Sequence, residues 1–340
     1  MQNALSKRKE PLTDTQLLMT ITICIFAVMY ILAMIILQGG FLHAQQIFDL
    51  LNDNASLIIV SCGLTIVMIG GGIDISVGAV TSLVAMSCIL YLNKGGNVLV
   101  AVLMAVGIGI AFGSVQGFLI SYLKIQPFIV TLAGMFFARG MTTILSVNPV
   151  KVDNSKFEAL RNVKIKIPFL GYVAKNGNLV PAKMELGVVI ALLCIILVFI
   201  LLMYNRLGRN FYAMGGNEQS ALMLGINVNK TRLFSYIISG LLSGISGFVL
   251  MMHTGAGNAT NALGMEMNAI ASSIIGGTLL TGGVGNIIGT FFGTVTLSTI
   301  KKIVVSSGLK DPWWQSITTG GMLCFFILLQ SIVLSRRQKN

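Results

Sequence analysis

The chain contains few charged residues. Only 10% of its 340 residues are Asp, Glu, Lys or Arg, whereas about a quarter are charged in a typical soluble globular chain. Hydrophobic residues make up 55% of the sequence, and most of them stand in long runs. A soluble multidomain protein is therefore excluded, and the composition predicts an all-α polytopic membrane protein with membrane lipid around it.

The sequence also lacks the groupings that metal sites and most enzymes need. Its five cysteines stand apart inside apolar runs, without a Cys-x-x-Cys pair or a His–Cys cluster. We therefore expect small buried cysteine side chains, no disulfide and no metal site. Its two histidines, His43 and His253, stand at the ends of apolar runs, where interfacial residues are found. No nucleophile–base pair stands out, so we predict that the chain is not an enzyme and binds no cofactor itself.

Basic residues outnumber acidic ones, 23 to 11, which gives a net charge of +12. Such an excess can serve nucleic-acid binding, but here the cations stand in tails and short loops between apolar runs. In that position they act as topology signals. No soluble basic domain remains, so we predict no nucleic-acid partner.

The apolar runs predict about ten membrane spans, at residues 17–37, 52–70, 77–92, 98–121, 126–147, 187–203, 233–252, 268–281, 284–305 and 314–334. A straight span needs about 20 residues, so the short runs 77–92 and 268–281 indicate half-helices beside a break. Together the spans form one transmembrane domain, 17–334, between the tails 1–16 and 335–340.

The basic tails set the expected orientation. Both carry clusters of Lys and Arg, which places both termini in the cytoplasm and requires an even number of spans. The loop 204–232 is then cytoplasmic and the loop 148–186 external, although the external loop holds seven basic residues. Within it, alternating residues at 163–167 and a turn at Asn176-Gly177 favour a small hairpin. An unstructured polar loop is the other interpretation.

A glycine-rich stretch with one carboxylate lies between the second and third apolar runs: Gly70-Gly71-Gly72-Ile73-Asp74-Ile75-Ser76-Val77-Gly78. Irregular backbone at membrane depth must lie against protein or a water-filled cavity, and an ionised group there costs at least about 3 kcal/mol. The stretch is therefore predicted to line or border a route across the membrane. Asp74 either braces the helix that starts near Ser76 or contacts the solute, and both interpretations are open.

A second glycine-rich stretch, 276–290, resembles the first, and paired glycine-interrupted segments are a pointer to a transport pathway. Glu266 has a competing interpretation, as a solvated carboxylate in the first turn of a helix. Arg139 has one as well, as a residue that forms an ion pair or extends its side chain to the outer surface. The candidates for the pathway are Gly71, Gly72, Asp74, Ser76, Gly78, Arg139, Glu266, Asn268, Gly277, Gly282, Gly283 and Gly285.

The cytoplasmic loop contains a short helix with signals at both ends. Asn217 is a good N-cap, Glu218 suits the first turn, and Gly225 can adopt the left-handed stop, which predicts a helix over 218–224. Ala221, Leu222 and Leu224 would then face the cytoplasm as a docking surface, unless the helix folds back on the membrane. The candidate coupling residues are Gly215, Gly216, Asn217, Glu218, Ala221, Leu222 and Gly225.

These stretches resemble the motifs of one transporter family. Residues 71–78 resemble the GGIDLSVG signature of bacterial ATP-binding-cassette sugar importers, in particular ribose, xylose and galactofuranose permeases. Residues 276–289 resemble the family's GGTSLSGGxGxxxGT motif, and 215–226 its coupling loop. Residues 131–140, 278–280 and Trp313-Trp314 most resemble a permease of a galactofuranose importer. Asn268 stands where the family's GxExDAIA motif has Asp, and an amide cannot make the ion pair that an Asp could make there. If Asn268 instead caps the following helix, little is lost.

The resemblance implies a permease subunit in the bacterial inner membrane that forms the path for a monosaccharide, galactofuranose being one candidate. The chain has no GxxxxGK[ST] phosphate loop, so ATP would be hydrolysed by a separate ATPase docked at 204–232. A second permease, identical or homologous, and an extracytoplasmic sugar-binding protein would complete the importer. The alternative is a secondary transporter driven by an ion gradient, for which Asp74, Glu266 and Arg139 form a sparse set of sites.

Overall fold

A computed structural model describes residues 14–37, 43, 45–173, 179–309 and 311–338. These ranges contain thirteen helices: α1 (Asp14–Leu37), α2 (Gln45–Ile69), α3 (Val77–Asn93), α4 (Val98–Ser121), α5 (Pro127–Leu145), α6 (Ser155–Arg161), α7 (Leu186–Tyr204), α8 (Arg206–Gly216), α9 (Glu218–Met223), α10 (Val228–Thr254), α11 (Met265–Ile275), α12 (Ile287–Ser306) and α13 (Pro312–Gln338). They also contain four strands: β1 (Val150–Lys151), β2 (Lys164–Val173), β3 (Leu179–Glu185) and β4 (Ala256–Gly257).

Eight of the described helices are long and apolar enough to cross a membrane, which confirms the all-α polytopic class. The two segments predicted to be short are short: α3 has 17 residues and α11 has 11. However, the predicted span 268–281 is wrong at its end. Helix α11 stops at Ile275, and no helix resumes before Ile287, because the glycines of this stretch turn the backbone out of the helical conformation.

Helices α2 and α10 form the centre of the bundle, and most of α2 is buried. Helix α10 crosses α4 at close range along glycines spaced four residues apart on both helices. A Cβ on Gly109 would lie 3.0 Å from the carbonyl carbon of Gly240, and one on Gly113 would lie 2.9 Å from Cα of Ile237. This small-residue spacing is the usual device for close helix contact in membranes, and it was not predicted from the sequence.

The first break returns the chain toward the middle of the bundle. After α2 ends, the amide of Gly72 donates to the carbonyl of Val67 at 2.9 Å, and Asp74 reaches Ser239 of α10. Ser239 lies eleven residues into α10, or about 16 Å from its start at 1.5 Å per residue. Helix α3 therefore begins near mid-depth, as expected for a half-helix.

A small antiparallel hairpin of β2 and β3 covers one end of the bundle, which we call the hairpin end. The predicted hairpin is confirmed, although its Asn176-Gly177 turn lies outside the described residues. It is attached to α2 because Lys183 donates its amide to Gln45 Oε1 at 2.7 Å and Glu185 donates its amide to Asn52 Oδ1 at 2.9 Å. The opposite end carries α8 and α9, and we call it the coupling end.

The five cysteines are free thiols. Cys62, Cys88 and Cys194 are buried as expected, but Cys24 and Cys324 are exposed, so the expectation is wrong for these two. The reason is their position on α1 and α13 at the periphery, where apolar side chains such as Ile35 and Leu328 are exposed as well. Those outer faces are suited to contact lipid.

Candidate functional site

The three glycine-rich stretches meet at the coupling end, in what we call the glycine junction: Gly70–Gly72, Gly215–Gly216 and Gly282–Gly283. The amide of Gly283 donates to the carbonyl of Ile69 at 2.8 Å, so the second break is bonded to the end of α2. A Cβ on Gly282 would lie 2.8 Å from Cα of Gly71 and 2.9 Å from the carbonyl oxygen of Gly215. The approach is backbone to backbone and leaves no room for a side chain.

Helix α8 is fastened to this junction by two side chains. Tyr212 donates its hydroxyl to the carbonyl of Gly285 at 2.9 Å. Burial raises the pKa of Tyr212 to about 12, so the hydroxyl keeps its proton at physiological pH. Met214 is buried against Gly70, where an added Cβ would lie 2.9 Å from the Met214 Cε. A displacement of α8 would therefore act on both breaks.

The helix predicted over 218–224 is confirmed as α9, which ends one residue earlier, at Met223. Asn217 Oδ1 accepts the amide of Ser220 at 2.8 Å, and Gly225 has a left-handed φ of 76°. Glu218 also pairs with Arg232 of α10 at 2.6 Å, which ties α9 to the bundle. The short helix is thus held at its start, at its end and to α10.

The exposed side of α9 differs from the expected one. Ala221 is buried against Met214 and Val228, so its assignment to a docking surface is wrong: it is the residue that seats α9 on the bundle. Leu222, Met223 and Leu224 are exposed, Met223 by 87% and Leu224 by 78%. We call these three the apolar tip. Leu222 and Leu224 were predicted to be exposed, and Met223, the last residue of α9, is a third exposed side chain.

Asp74 lies at mid-depth and is 2% exposed. Its Oδ1 accepts the Ser76 amide at 3.0 Å and the Ser76 hydroxyl at 2.7 Å, and its Oδ2 accepts the Ser239 hydroxyl at 2.8 Å. Both carboxylate oxygens are thus occupied by donors of the chain itself. The contacts match the bracing interpretation, while the role of Asp74 in translocation stays a prediction.

Asp74 is connected through Ser76 to the wall of a cavity. Ser76 Oγ also lies 3.1 Å from Gln116 Oε1, yet a hydroxyl has one proton, and the shorter contact assigns it to Asp74. Gln116 is the polar residue among those that line a cavity of about 650 Å³ between α4 and α5. Its Nε2 is buried without a partner among the described residues, beside Gly134. Neither Gln116 nor Ser239 was predicted from the sequence, because a single Gln or Ser in an apolar helix does not form a recognisable motif.

Glu266 lies toward the hairpin end and is only 7% exposed. It packs on Gly78, and its Oε2 has no hydrogen-bond partner among the described residues. The interpretation as a solvated first-turn carboxylate is therefore wrong. The loop that follows α10 folds over the start of α11 and excludes water from this side chain.

Arg139 holds that same loop. Its guanidinium donates to three backbone carbonyls, those of Ala259 at 3.1 Å, Asn261 at 2.7 Å and Ala262 at 2.9 Å. No carboxylate of the described residues lies within 4.0 Å of it, so the ion-pair interpretation is wrong for the part of the chain that the structure covers. The guanidinium is hydrogen-bonded to carbonyl oxygens, and Glu266 acts on it electrostatically without a direct contact.

Asn268 does not cap a helix. Helix α11 starts after Gly264, which has a left-handed φ of 75°, and Asn268 already lies inside it. Its Oδ1 instead accepts from Lys301 Nζ at 2.6 Å and lies 3.4 Å from Thr319 Oγ1. The capping expectation is wrong because the residue faces α12 and α13.

The structure therefore separates the predicted pathway residues into three levels. Gly71, Gly282, Gly283 and Gly285 lie in or beside the junction, and Gly277 packs on Leu18 of α1. Gly72, at the edge of the junction, packs against Tyr236, and Asp74 and Ser76 follow it at mid-depth. Gly78, Arg139, Glu266 and Asn268 lie nearer the hairpin end. Their part in translocation stays a prediction.

Comparison with known proteins identifies the family. Residues 46–327 match the permease family described as branched-chain amino acid transport system / permease component. The chain belongs to this permease family. It is similar to the inner membrane ABC transporter permease YjfF of Escherichia coli, with 36% identity over 328 residues and 95% of each chain covered. It is also similar to the fructose import permease FruG of Bifidobacterium longum, with 31% identity over 323 residues, covering 95% of this chain and 93% of FruG.

A third relative is the ribose import permease RbsC of Escherichia coli, 29% identical over 296 residues, with 87% of this chain and 88% of RbsC covered. No solved structure matches the chain. The resemblance to permeases of the ribose and xylose type is confirmed, and so is a membrane permease rather than an enzyme. Two of these relatives are named for different sugars, so the family match does not select one sugar.

Proposed function

We propose that the chain is the membrane-spanning subunit of an ATP-driven importer of a monosaccharide, with both termini in the cytoplasm. The observation that carries the proposal is the glycine junction, in which α8 touches both breaks at once. A movement of α8 driven by ATP hydrolysis in a partner would reach the two irregular segments through backbone contacts. Such rigid contacts transmit displacement better than flexible side chains do.

The apolar tip is the proposed dock for the ATPase subunit. Three exposed apolar side chains on a short helix, seated by Ala221 and tied by Glu218–Arg232, form a small rigid knob. A knob of this kind fits a groove on a partner protein. A sugar-binding protein would approach the opposite, hairpin end, and a second permease would complete the membrane path.

The substrate class is inferred from the relatives. FruG and RbsC are named for fructose and ribose import, and a further relative, MglC of Escherichia coli, for galactose and methyl galactoside import. Together with the motifs that resemble a galactofuranose permease, they favour a monosaccharide over an amino acid. Galactofuranose is the first sugar to test.

The test is uptake by proteoliposomes that contain this permease, its partner permease and ATPase, and the sugar-binding protein. We expect accumulation of labelled galactofuranose, ribose, fructose or galactose that requires ATP and persists when ion gradients are collapsed. Uptake without ATP that stops with the ion gradient would replace the proposal by a secondary transporter. Accumulation of leucine with none of the sugars would keep the importer and overturn the substrate class.

The docking role is tested in the same system with Leu224→Asp. A charge on the apolar tip should abolish stimulation of the ATPase while the permease remains folded, because Leu224 is 78% exposed and has little packing to lose. The matched control is Val147→Asp, which places the same charge on an exposed residue of the loop after α5, at 74% exposure. Equal stimulation in both variants would remove the apolar tip from the docking site.

A further inference from the structure

A groove of about 560 Å³ opens between α11, α12 and α13 at the hairpin end. Its wall combines polar groups, Asn268, Lys301 and Thr319, with apolar ones, Met267, Trp313 and Leu323. A site of this size with a few convergent polar groups is typical of a small-molecule or lipid site. Of the candidate pathway residues, Asn268 alone lines this groove.

Lys301 is the unusual residue of this groove because nothing in the described chain balances its charge. Its Nζ donates to the neutral amide oxygen of Asn268 at 2.6 Å. No carboxylate of the residues that the structure covers lies within 4.0 Å of it. An ammonium group that is partly buried is unfavourable unless an anion accompanies it. The anion has to come from outside this part of the chain.

The groove lies at the level where lipid headgroups are found. Lys301 is five residues from the end of α12, or about 8 Å along the axis. The neighbouring Lys302 donates to Gln46 Oε1, at the first residues of α2, with a distance of 2.9 Å. Trp313 and Trp314 stand at the start of α13, and Trp313 is 75% exposed. Tryptophan favours the boundary between headgroups and acyl chains.

We propose that this groove binds an anionic phospholipid through the phosphate of its headgroup. Lys301 supplies the charge, Ser316 supplies a hydroxyl donor, and an acyl chain follows Met267 and Leu323. Asn268 is central to the proposal because its amide leaves the lysine charge uncompensated. An Asp at this position, as in the related motif, would fill the role of the phosphate.

The chain supplies its own reporter, since Trp313 and Trp314 are its two tryptophans. The purified permease is reconstituted in vesicles of phosphatidylcholine that contain a minor fraction of brominated phosphatidylglycerol, or the same fraction of brominated phosphatidylcholine. Bromine quenches tryptophan emission at contact. We expect the anionic lipid to occupy the site about fivefold more readily than the neutral one, as one basic residue near a charged surface does.

Three variants decide the cause of the preference. Lys301→Gln and Asn268→Asp should both bring the two quenching curves together, the first by removing the cation and the second by supplying an anion. Lys302→Gln, the matched control next in sequence, should keep the preference. A preference that survives both Lys301→Gln and Asn268→Asp would overturn the proposal.

Two results with the wild-type protein would also overturn it. Equal quenching by both lipids would show that the groove does not select an anion from the bilayer, as expected if a carboxylate of a second permease covers it. The second result is a loss of quenching by brominated phosphatidylcholine when inorganic phosphate is added to neutral vesicles. It would assign the site to a free anion. None of these measurements involves sugar or ATP, so the result is independent of the proposed transport function.

Discussion

The two glycine-rich breaks look alike in sequence but are held by different forces. The break at 70–76 contains a buried carboxylate, Asp74, that accepts three hydrogen bonds from Ser76 and Ser239. The break at 276–286 contains no charged side chain. Its Gly277, Gly282 and Gly283 adopt left-handed φ values of 88°, 87° and 75° and pack on other backbone segments.

This difference separates two ways of stabilising irregular backbone inside a membrane. At the first break, side chains hydrogen-bond to the irregular segment, and this stabilisation is lost when a polar partner is removed. At the second break, glycines let backbone segments pack closely, and this stabilisation is lost when a side chain is added. The first break shares the close glycine contact but should also be sensitive to truncation of its polar side chains, whereas the second should be sensitive to added volume. Both breaks contact α8.

The largest effect is expected for Gly282→Ala. The added Cβ would lie 2.8 Å from Cα of Gly71 and would also force a left-handed φ on alanine. Overpacking against backbone and the unfavourable φ together should destabilise the protein by about 3 kcal/mol. The measurement is thermal unfolding of the purified protein in detergent.

Gly308→Ala is the control, because Gly308 also has a left-handed φ, 93°, but an added Cβ meets nothing within 4 Å. It isolates the backbone strain, about 1 kcal/mol. If both variants unfold at the same temperature, close packing at the junction contributes nothing and the comparison between the breaks fails.

A smaller loss, about 2 kcal/mol, is expected for Asp74→Ala. The change removes three hydrogen bonds to a charged group, each of which is worth more than a neutral one, but it also removes a carboxylate whose burial is unfavourable. Thermal unfolding should show a midpoint between those of Gly282→Ala and the wild type. A variant as stable as the wild type would mean that the brace does not stabilise the first break.

The smallest effect is expected for Ser239→Ala, about 1 kcal/mol, because one carboxylate oxygen of Asp74 then loses its donor. In the Asp74→Ala background the same change should have no further effect, since the acceptor is already gone. A double variant whose loss equals the sum of the two single losses would contradict a shared brace. The check is the same unfolding experiment on all three variants.

Much of the fold could be predicted from sequence because its signals are local. Apolar runs located the long helices, and Asn217 with Gly225 located α9 and its ends. The hairpin was predicted from the alternation at 163–167. Each of these depends on residues within a few positions of one another.

The features that could not be predicted depend on partners far along the chain. Ser239 meets Asp74 across 165 residues, and Lys301 meets Asn268 across 33, so neither side chain stands out in its own segment. Glu266 has the position of a solvated first-turn carboxylate but is covered by a loop that Arg139 folds over it. The sequence also did not predict that three glycine-rich stretches meet in one junction. A high density of glycines indicates that the backbone is closely approached, but it does not indicate by which segment.

Adjacent glycines of α8 allow a test of whether this helix acts on both breaks through the glycine junction. A Cβ on Gly215 would clash with the carbonyl oxygen of Ile69 and lie 2.6 Å from the amide nitrogen of Gly283, whereas one on Gly216 meets nothing within 4 Å. The measurement is the number of ATP molecules hydrolysed per sugar imported by reconstituted Gly215→Ala and Gly216→Ala, at a temperature where both remain folded. We expect this ratio to rise severalfold for Gly215→Ala and to stay at the wild-type value for Gly216→Ala. Equal ratios in the two variants would contradict coupling through the junction.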